Sequence, residues 1–175
     1  MTPGKGYIVR GSSSYGWTGN IPAVFRGVPN NGIITTTISR GSNVNPSQTS
    51  TVNGAIVTNF DDNWNLVGNP YPSAIDALSF LGDSNNSNID GFIWLWRHVS
   101  APAPLPNPFY GSFDSNYNTN SYIEFNAMGS NPIGFDGKIA AGQGFFVRMV
   151  DGGAVSSSVT FNNSMRNNGY NNSQF

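Results

Sequence analysis

Short apolar runs separated by clusters of Gly, Pro and Asn recur along the whole chain. Runs of this length and spacing are typical of β-strands joined by turns. The candidate strands are residues 6–10, 23–28, 33–38, 55–57, 64–68, 92–96, 121–125, 144–150 and 155–161. The segment Pro29-Asn30-Asn31-Gly32 between two of them predicts a β-hairpin, because Asn and Gly tolerate positive φ. The pattern predicts an all-β fold, an antiparallel, jelly-roll-like β-sandwich with long loops.

One segment has helical rather than strand spacing. The apolar residues Ile75, Leu78 and Phe80 follow Ser73, which has an acidic residue three positions later, as in a capping box. Gly82 ends the pattern, as glycine often does at a helix C-terminus. The sequence therefore predicts one short helix.

Composition supports a domain rich in strands and loops. The 175 residues include 25 Asn, 21 Ser and 21 Gly, whereas Glu and Lys together contribute three. Asn, Ser and Gly favour turns and caps over helices, while 13% aromatic residues supply enough apolar bulk for a core. We expect a single β-sandwich domain over residues 1–161. Residues 162–175 are predicted to be a tail or linker toward a missing C-terminal region.

Charge excludes several classes of partner. Eight basic and nine acidic residues give a formal net charge of −1, with no Lys/Arg cluster of the kind that binds nucleic acid or an anionic membrane surface. No apolar run approaches the length of a membrane span. Cysteine is absent, which excludes disulfides and thiolate metal sites. A surface poor in charge and rich in Asn, Ser and Thr favours an exported chain.

Six landmarks occur in a fixed order along the chain. They are residues 4–9, residues 25–32, Asn69-Pro70-Tyr71-Pro72, Ile89-Asp90-Gly91, residues 141–147 and residues 161–166. In these segments the chain resembles a module of large secreted or cell-surface proteins of Bacteroidota, especially flavobacteria. In those proteins the module lies upstream of a C-terminal sorting domain for type IX secretion. The resemblance implies an extracellular or cell-surface location and a modular parent protein, and it implies no catalytic residue.

Catalytic groups are scarce. His98 is the only histidine and no nucleophile motif accompanies it, so we interpret it as a residue packing at a strand end. Glu124 is the only glutamate, and a glycosidase would need a second carboxylate, for which Asp114 or Asp136 would be an arbitrary choice. We expect the chain not to be an enzyme.

The polar segment from Asp83 to Asp90 contains many oxygen ligands of the type that Ca²⁺ takes. It lacks the glycine and the final bidentate glutamate of an EF-hand. Asp61-Asp62 forms a second oxygen cluster, which fits a turn equally well. We therefore interpret both segments as solvated loops, expect no cofactor, and keep Asp83 and Asp90 as weak calcium candidates.

Aromatic residues are the strongest binding signal. Phe92, Trp94 and Trp96 alternate along one predicted strand, with Ile93 and Leu95 on its other side, and the apolar character of both sides favours a buried strand. Trp17, Trp64, Tyr110 and Tyr117 lie near predicted turns instead. These four residues are our candidates for contacts with a neutral polymer.

Three functions follow as hypotheses. The first is a non-catalytic extracellular module that serves adhesion or acts as a structural spacer. The second is a carbohydrate-binding module. The expected partner of the chain is a neutral polysaccharide or another surface protein. The third is a subunit of a surface filament, in which a terminal segment adds a strand to a neighbouring copy.

Overall fold

Antiparallel strands form most of the regular structure. The computed structural model describes residues 1–9, 24, 26–42, 50–52, 55–58, 61–97 and 121–170. The strands are β1 (Ile34–Ser39), β2 (Ser50–Val52), β3 (Ala55–Val57), β4 (Trp64–Gly68), β5 (Ile75–Asp76), β6 (Ile93–Trp96), β7 (Tyr122–Asn126), β8 (Gly129–Asn131), β9 (Lys138–Ile139), β10 (Gly144–Arg148) and β11 (Ser156–Phe161). The helix α1 spans Ala77–Leu81.

The largest sheet has five strands in the order β4-β10-β6-β7-β8. Three two-stranded sheets accompany it, formed by β1 with β11, β2 with β3, and β5 with β9, and every pairing is antiparallel. The prediction of an all-β, sandwich-like fold with one short helix is confirmed. Among the described residues, no helix has the length and apolar character needed to cross a lipid bilayer.

The core lies between one face of the five-stranded sheet and the layer formed by β11 and α1. Phe80 of α1 stacks on Phe161 of β11, with ring centroids 5.1 Å apart, and meets Phe145 of β10 edge-to-face at 5.3 Å. All three side chains are fully buried. Because large rings from three elements meet at this point, we infer that this cluster anchors the two layers to each other.

The predicted hairpin at residues 23–38 is wrong in the residues that the structure describes. Its second arm is β1, but residues 24 and 26–28 form no strand, and β1 pairs with β11 along Ile34–Ser39. Of the strand predicted at residues 6–10, residues 6–9 form no strand, and an isolated bridge joins the preceding Lys5 to Val67. Residue 10 lies outside the described residues. Local turn chemistry therefore identified the position of β1 but not its partner, which lies far away in sequence.

The helix begins later than the capping box predicts. Asp76 is the N-cap, and its carboxylate accepts a hydrogen bond from the Ser79 amide at 2.7 Å. Ile75 and Asp76 belong to β5, so the expected start at Ser73 is wrong by three residues. Gly82 ends the helix as expected.

Asparagine side chains close the outer edge of β11. The Asn86 amide accepts from Thr160 N at 2.7 Å and donates to Thr160 O at 3.0 Å, as a neighbouring strand would. The Asn88 amide donates to Ser158 O at 2.8 Å. Asn86 is buried, and its amide also donates to Phe80 O at 2.8 Å. The high Asn content thus supplies backbone partners inside the fold as well as turns at its surface.

The Asn-Pro-Tyr-Pro corner is organised by Asn69. Its buried amide accepts from Tyr71 N and donates to the carbonyls of Ser73, Ile139 and Ala140 at 2.9–3.1 Å. The corner therefore connects the end of β4 to the β5–β9 pair. It contains no cis peptide bond; the cis bond among the described residues is Asn131–Pro132.

Ordered contacts continue past the predicted domain boundary at residue 161. Met165 is 1% exposed, and Arg166 bridges to Ile75. The Arg166 guanidinium lies 4.7 Å from the centroid of the Tyr71 ring and donates to Ser73 Oγ at 2.9 Å. The prediction of a tail from residue 162 is therefore wrong for residues 162–166, because the packed body extends at least to Arg166. Residues 171–175 lie outside the described residues.

Candidate functional site

The two sides of β6 have different environments. Ile93 and Leu95 point into the core and are 0% exposed, whereas Trp94 and Trp96 lie on the opposite side and are half-buried. The predicted alternation is confirmed. The expectation of a strand buried on both sides holds for the aliphatic side, while the tryptophan side keeps part of its surface in contact with solvent.

Strand register places further aromatic residues beside these tryptophans. Phe146 of β10 lies opposite Trp94, and Tyr122 of β7 lies opposite Trp96. Residues directly opposite each other in adjacent strands share one face of the sheet. We call this outer side of the five-stranded sheet the aromatic face, and its members are Trp64, Phe92, Trp94, Trp96, Tyr122 and Phe146.

The rings of the aromatic face contact one another across the strands. Trp64 meets Trp94 edge-to-face with ring centroids 4.5 Å apart, and Phe92 stacks on Trp94 at 5.6 Å. Tyr122 lies 5.0 Å from Trp96 and 6.0 Å from Phe146. The contacts therefore hold the side chains in a continuous layer over four strands.

An ion pair borders this layer. Arg148 Nη2 lies 2.6 Å from Asp90 Oδ2, and its guanidinium carbon lies 5.6 Å and 5.5 Å from the ring centroids of Trp64 and Trp94. Burial raises the pKa of Asp90, and the neighbouring Arg148 guanidinium only partly offsets this effect. The guanidinium thus packs over the Trp64 and Trp94 rings, while the Asp90 carboxylate balances its charge.

Trp64 is the most exposed member of the aromatic face. Its side chain is 39% exposed, and it occupies the first position of β4 rather than a loop. The other predicted contact residues, Trp17, Tyr110 and Tyr117, lie outside the described residues. Phe146, which belongs to another strand, was not among the predicted contact residues. The alternation of β10, with Phe145 inward and Phe146 outward, is the signal that would have identified it.

The two calcium candidates, Asp83 and Asp90, accept hydrogen bonds from protein groups. Asp83 accepts from Asn85 N at 2.9 Å and from Asn162 Nδ2 at 2.6 Å. Asp90 is paired with Arg148, as described above. Within the described ranges, no three His, Cys, Asp or Glu residues are grouped as a metal site would require. The expectation of no cofactor stays a prediction.

Two of the four candidate catalytic groups, Glu124 and Asp136, lie within the described residues and belong to different elements. Glu124 lies opposite Trp94 on the aromatic face, whereas Asp136 accepts from Lys138 N at 2.9 Å in the turn before β9. His98 and Asp114 lie outside the described residues. The expectation of a non-enzyme stays a prediction.

The fold and the aromatic face define an all-β, sandwich-like domain with a half-exposed aromatic sheet surface. A family model described as "Domain of unknown function (DUF8693)" matches residues 1–175, and the chain belongs to this family. Comparisons with curated proteins and with solved structures gave no match.

Proposed function

We propose that the chain is a non-catalytic extracellular adhesion module that binds neutral glycans through its aromatic face. The observation that carries this proposal is the layer of six aromatic side chains on the outer side of the five-stranded sheet, with Trp64 39% exposed at its border. Flat aromatic faces stack against the C–H faces of pyranose rings, and Trp and Tyr combine a large apolar area with a polar group.

The electrostatics of the aromatic face favour a neutral ligand. Arg148 and Asp90 compensate each other at its border, and the chain has a formal net charge of only −1. A surface with a weak field does not attract ions strongly over a distance. The carboxylate of Glu124, which shares this face with Trp94, is an acceptor for sugar hydroxyl groups.

A binding role fits the carboxylates better than a hydrolytic role. Asp76 contacts Lys138, Asp90 pairs with Arg148, and Asp83 accepts hydrogen bonds from amides. Glycoside hydrolysis requires two carboxyl groups on either side of one bond. Glu124 has no second carboxylate among the described residues of the aromatic face.

The proposed setting is a secreted or cell-surface protein of Bacteroidota that is exported by type IX secretion. The support is the ordered set of six sequence landmarks. Several of them hold the fold together: the Gly4–Gly6 backbone bonds to β4, Asn69 organises the corner after β4, and Asp90 pairs with Arg148. These landmarks are therefore explained by architecture, which leaves the aromatic face as the surface for ligand recognition.

A glycan array probed with the wild-type chain and with Trp64→Ala tests the proposal. We expect binding to neutral glycans and a loss of about tenfold or more in the variant, because truncating an aromatic anchor typically costs about 2 kcal/mol or more. Leu78→Ala is the matched control, since Leu78 is an exposed apolar residue on α1, away from the aromatic face. Its binding is expected to equal that of the wild-type chain.

Two results would contradict the proposal. Absence of binding to every neutral glycan would favour the structural-spacer hypothesis, and equal binding by Trp64→Ala and the wild-type chain would move the binding site away from the aromatic face. Export is tested separately, by locating the parent protein in a Bacteroidota strain with and without its type IX secretion system. Retention in the cytoplasm of both strains would contradict the proposed setting.

A further inference from the structure

The chain itself closes three outer edges of the two sheets that surround the core. The amides of Asn86 and Asn88 bond to the backbone of β11. Backbone groups of Gly4 and Gly6 bond to the outer edge of β4 at 2.9 Å and 3.0 Å. Strand β8 is only three residues long, and Pro132, which follows it, has no N–H. Such devices are the usual protection of a sheet edge against pairing with another chain.

Over most of its length, the outer edge of β1 receives no such protection from the residues that the structure describes. The amide of Arg40, directly after β1, points toward the side of β11 and donates to the carbonyl of Val155, the residue before β11, at 3.0 Å. Ser39 points the other way, and both of its backbone groups bond to the Asn65 side chain, at 2.8 Å and 2.7 Å. Backbone groups alternate in direction along an antiparallel strand, so those of Thr35 and Thr37 point outward like those of Ser39.

Thr35 and Thr37 are exposed, and nothing in the described part of the chain bonds to their outward backbone groups. Two N–H and two C=O groups in one row therefore have no partner among the described residues. A row of this kind is the acceptor in strand addition, where the main chain of the partner supplies the affinity.

A segment with the matching chemistry follows the Gly4–Gly6 contact. Tyr7, Ile8 and Val9 are residue types that favour strands. The side chains of Ile8 and Val9 are 83% and 82% exposed, and that of Tyr7 is also exposed. Their backbone groups form no hydrogen bond with any residue that the structure describes. Within the described residues, the apolar segment Tyr7–Val9 and the outer edge of β1 therefore both lack backbone partners.

We propose that Tyr7–Val9 of one copy adds as a strand to the outer edge of β1 in a second copy. The donor segment and the acceptor edge are different surfaces, so the contact is head-to-tail and each added copy presents a new edge. The product is a linear assembly. Glycan binding does not depend on it, because neither Tyr7–Val9 nor β1 belongs to the aromatic face.

Sedimentation velocity over a concentration series tests this proposal, with one blocked variant for each surface. Ile8→Pro removes an N–H from the donor, and Thr37→Pro removes an outward N–H from the acceptor without removing a bond to β11. We expect the wild-type chain to form species of at least two copies that grow with concentration, and each variant alone to be monomeric. A mixture of the two variants should form dimers and nothing larger, since each keeps one functional surface.

Two further measurements make the test independent of variant folding. A peptide of residues 4–9 in excess should dissociate the wild-type assembly, whereas the same peptide with Pro in place of Ile8 should not. Val28→Ser, which removes another exposed apolar side chain, should assemble like the wild-type chain. A wild-type chain that is monomeric at every soluble concentration would overturn the proposal, as would an assembly that resists the peptide. Glycan binding by monomeric Ile8→Pro separates this result from the fate of the proposed function.

Discussion

The two faces of the five-stranded sheet differ in a way that hydrophobicity alone does not explain. Its inner face presents Ile93 and Leu95, which are 0% exposed, while its outer face presents the larger side chains of Trp94 and Trp96, which are only half-buried. The same strand supplies both sets. The core is closed by aliphatic residues and by phenylalanines from α1 and β11. The larger rings on the other side are thus not needed to fill it, and this difference makes the aromatic face the candidate for binding.

The largest expected effect comes from two neighbouring phenylalanines on β10. Phe145 lies in the core and Phe146 on the aromatic face, so alanine at each position removes the same group from opposite faces. We expect Phe145→Ala to lower the free energy of unfolding by about 3–5 kcal/mol, because it leaves a cavity in a packed core. Phe146→Ala should lower it by only about 1–2 kcal/mol, since the site is partly open to solvent.

Chemical denaturation of both variants measures this difference in stability. The glycan array gives a second measurement, in which the variant with the smaller loss of stability should have the larger loss of binding. Phe146→Ala should weaken binding, whereas Phe145→Ala, where it is folded, should not. Equal loss of stability in the two variants would mean that the aromatic face is a second core, and the comparison between the faces would fail.

A somewhat smaller effect is expected at the polar boundary of the core. Asn86→Ala removes the partner of both Thr160 backbone groups and of Phe80 O. Buried polar groups without partners cost about 1–3 kcal/mol each, and partial access of water reduces the sum, so we expect a loss of about 2–4 kcal/mol. Asn85→Ala is the matched control, because Asn85 is the neighbouring residue and its side chain is exposed. This variant should change stability by less than about 0.5 kcal/mol. Thermal unfolding of both variants gives the comparison, which equal melting temperatures would contradict.

Two ion pairs are expected to respond to pH in opposite directions. Burial raises the pKa of Asp90, so the contribution of this residue to stability is largest below its unfolded pKa and is lost as the pH rises through the raised value. Burial also acts to raise the pKa of Asp76, but hydrogen bonds from Lys138 and Ser79 outweigh it and lower the pKa. The contribution of Asp76 is therefore present above its unfolded pKa and is lost as the pH falls.

Denaturation of Asp90→Asn and Asp76→Asn between about pH 2.5 and 7 measures these contributions. Relative to the wild-type chain, Asp90→Asn should become less stable as the pH falls, while the deficit of Asp76→Asn should shrink. Curves that run in parallel for the two variants would show that the carboxylates have the same environment, against the geometry described here.

The smallest expected effect is that of calcium. Guanidinium and amide donors already occupy oxygens of Asp90 and Asp83. A site of micromolar affinity would add about 4 kcal/mol at millimolar Ca²⁺. We expect far less stabilisation. At 1 mM Ca²⁺, about a thousandfold above the Kd of such a site, the melting temperature should be nearly the same as in EDTA. A large increase that Asp83→Asn and Asp90→Asn abolish would restore the calcium hypothesis.

Local patterns predicted the strands well where each strand has an apolar run of its own. β4, β6, β10 and β11 lie within two residues of the predicted segments, and Gly82 ends the helix as expected. The alternation of side chains also assigned Ile93 and Trp94 to opposite faces of β6. These features depend on side-chain alternation, which is encoded within a few neighbouring residues.

Features that depend on long-range pairing were not predictable from one sequence. β1 pairs with β11 because both contribute to the same core layer, although a sequence typical of a hairpin turn lies directly before β1. Asn86 looks like one more loop asparagine until β11 is placed beside it. Met165 lies in a polar segment, and only the position of the neighbouring helix makes its burial understandable. In the same way, the aromatic face exists only once Phe146 and Trp94 are in register.

Hydroxyl-radical footprinting tests most directly whether the sheet has one core face and one binding face. The oxidation rates of Trp64 and Trp94 are measured with and without soluble neutral polysaccharides, namely a glucan, a xylan and a mannan. Met1 and Met128, exposed elsewhere, serve as internal controls. We expect a polysaccharide that binds to slow the oxidation of Trp64 and Trp94 and to leave Met1 and Met128 unchanged. Binding that protects the controls and leaves both tryptophans unprotected would contradict the assignment of the aromatic face as the binding surface.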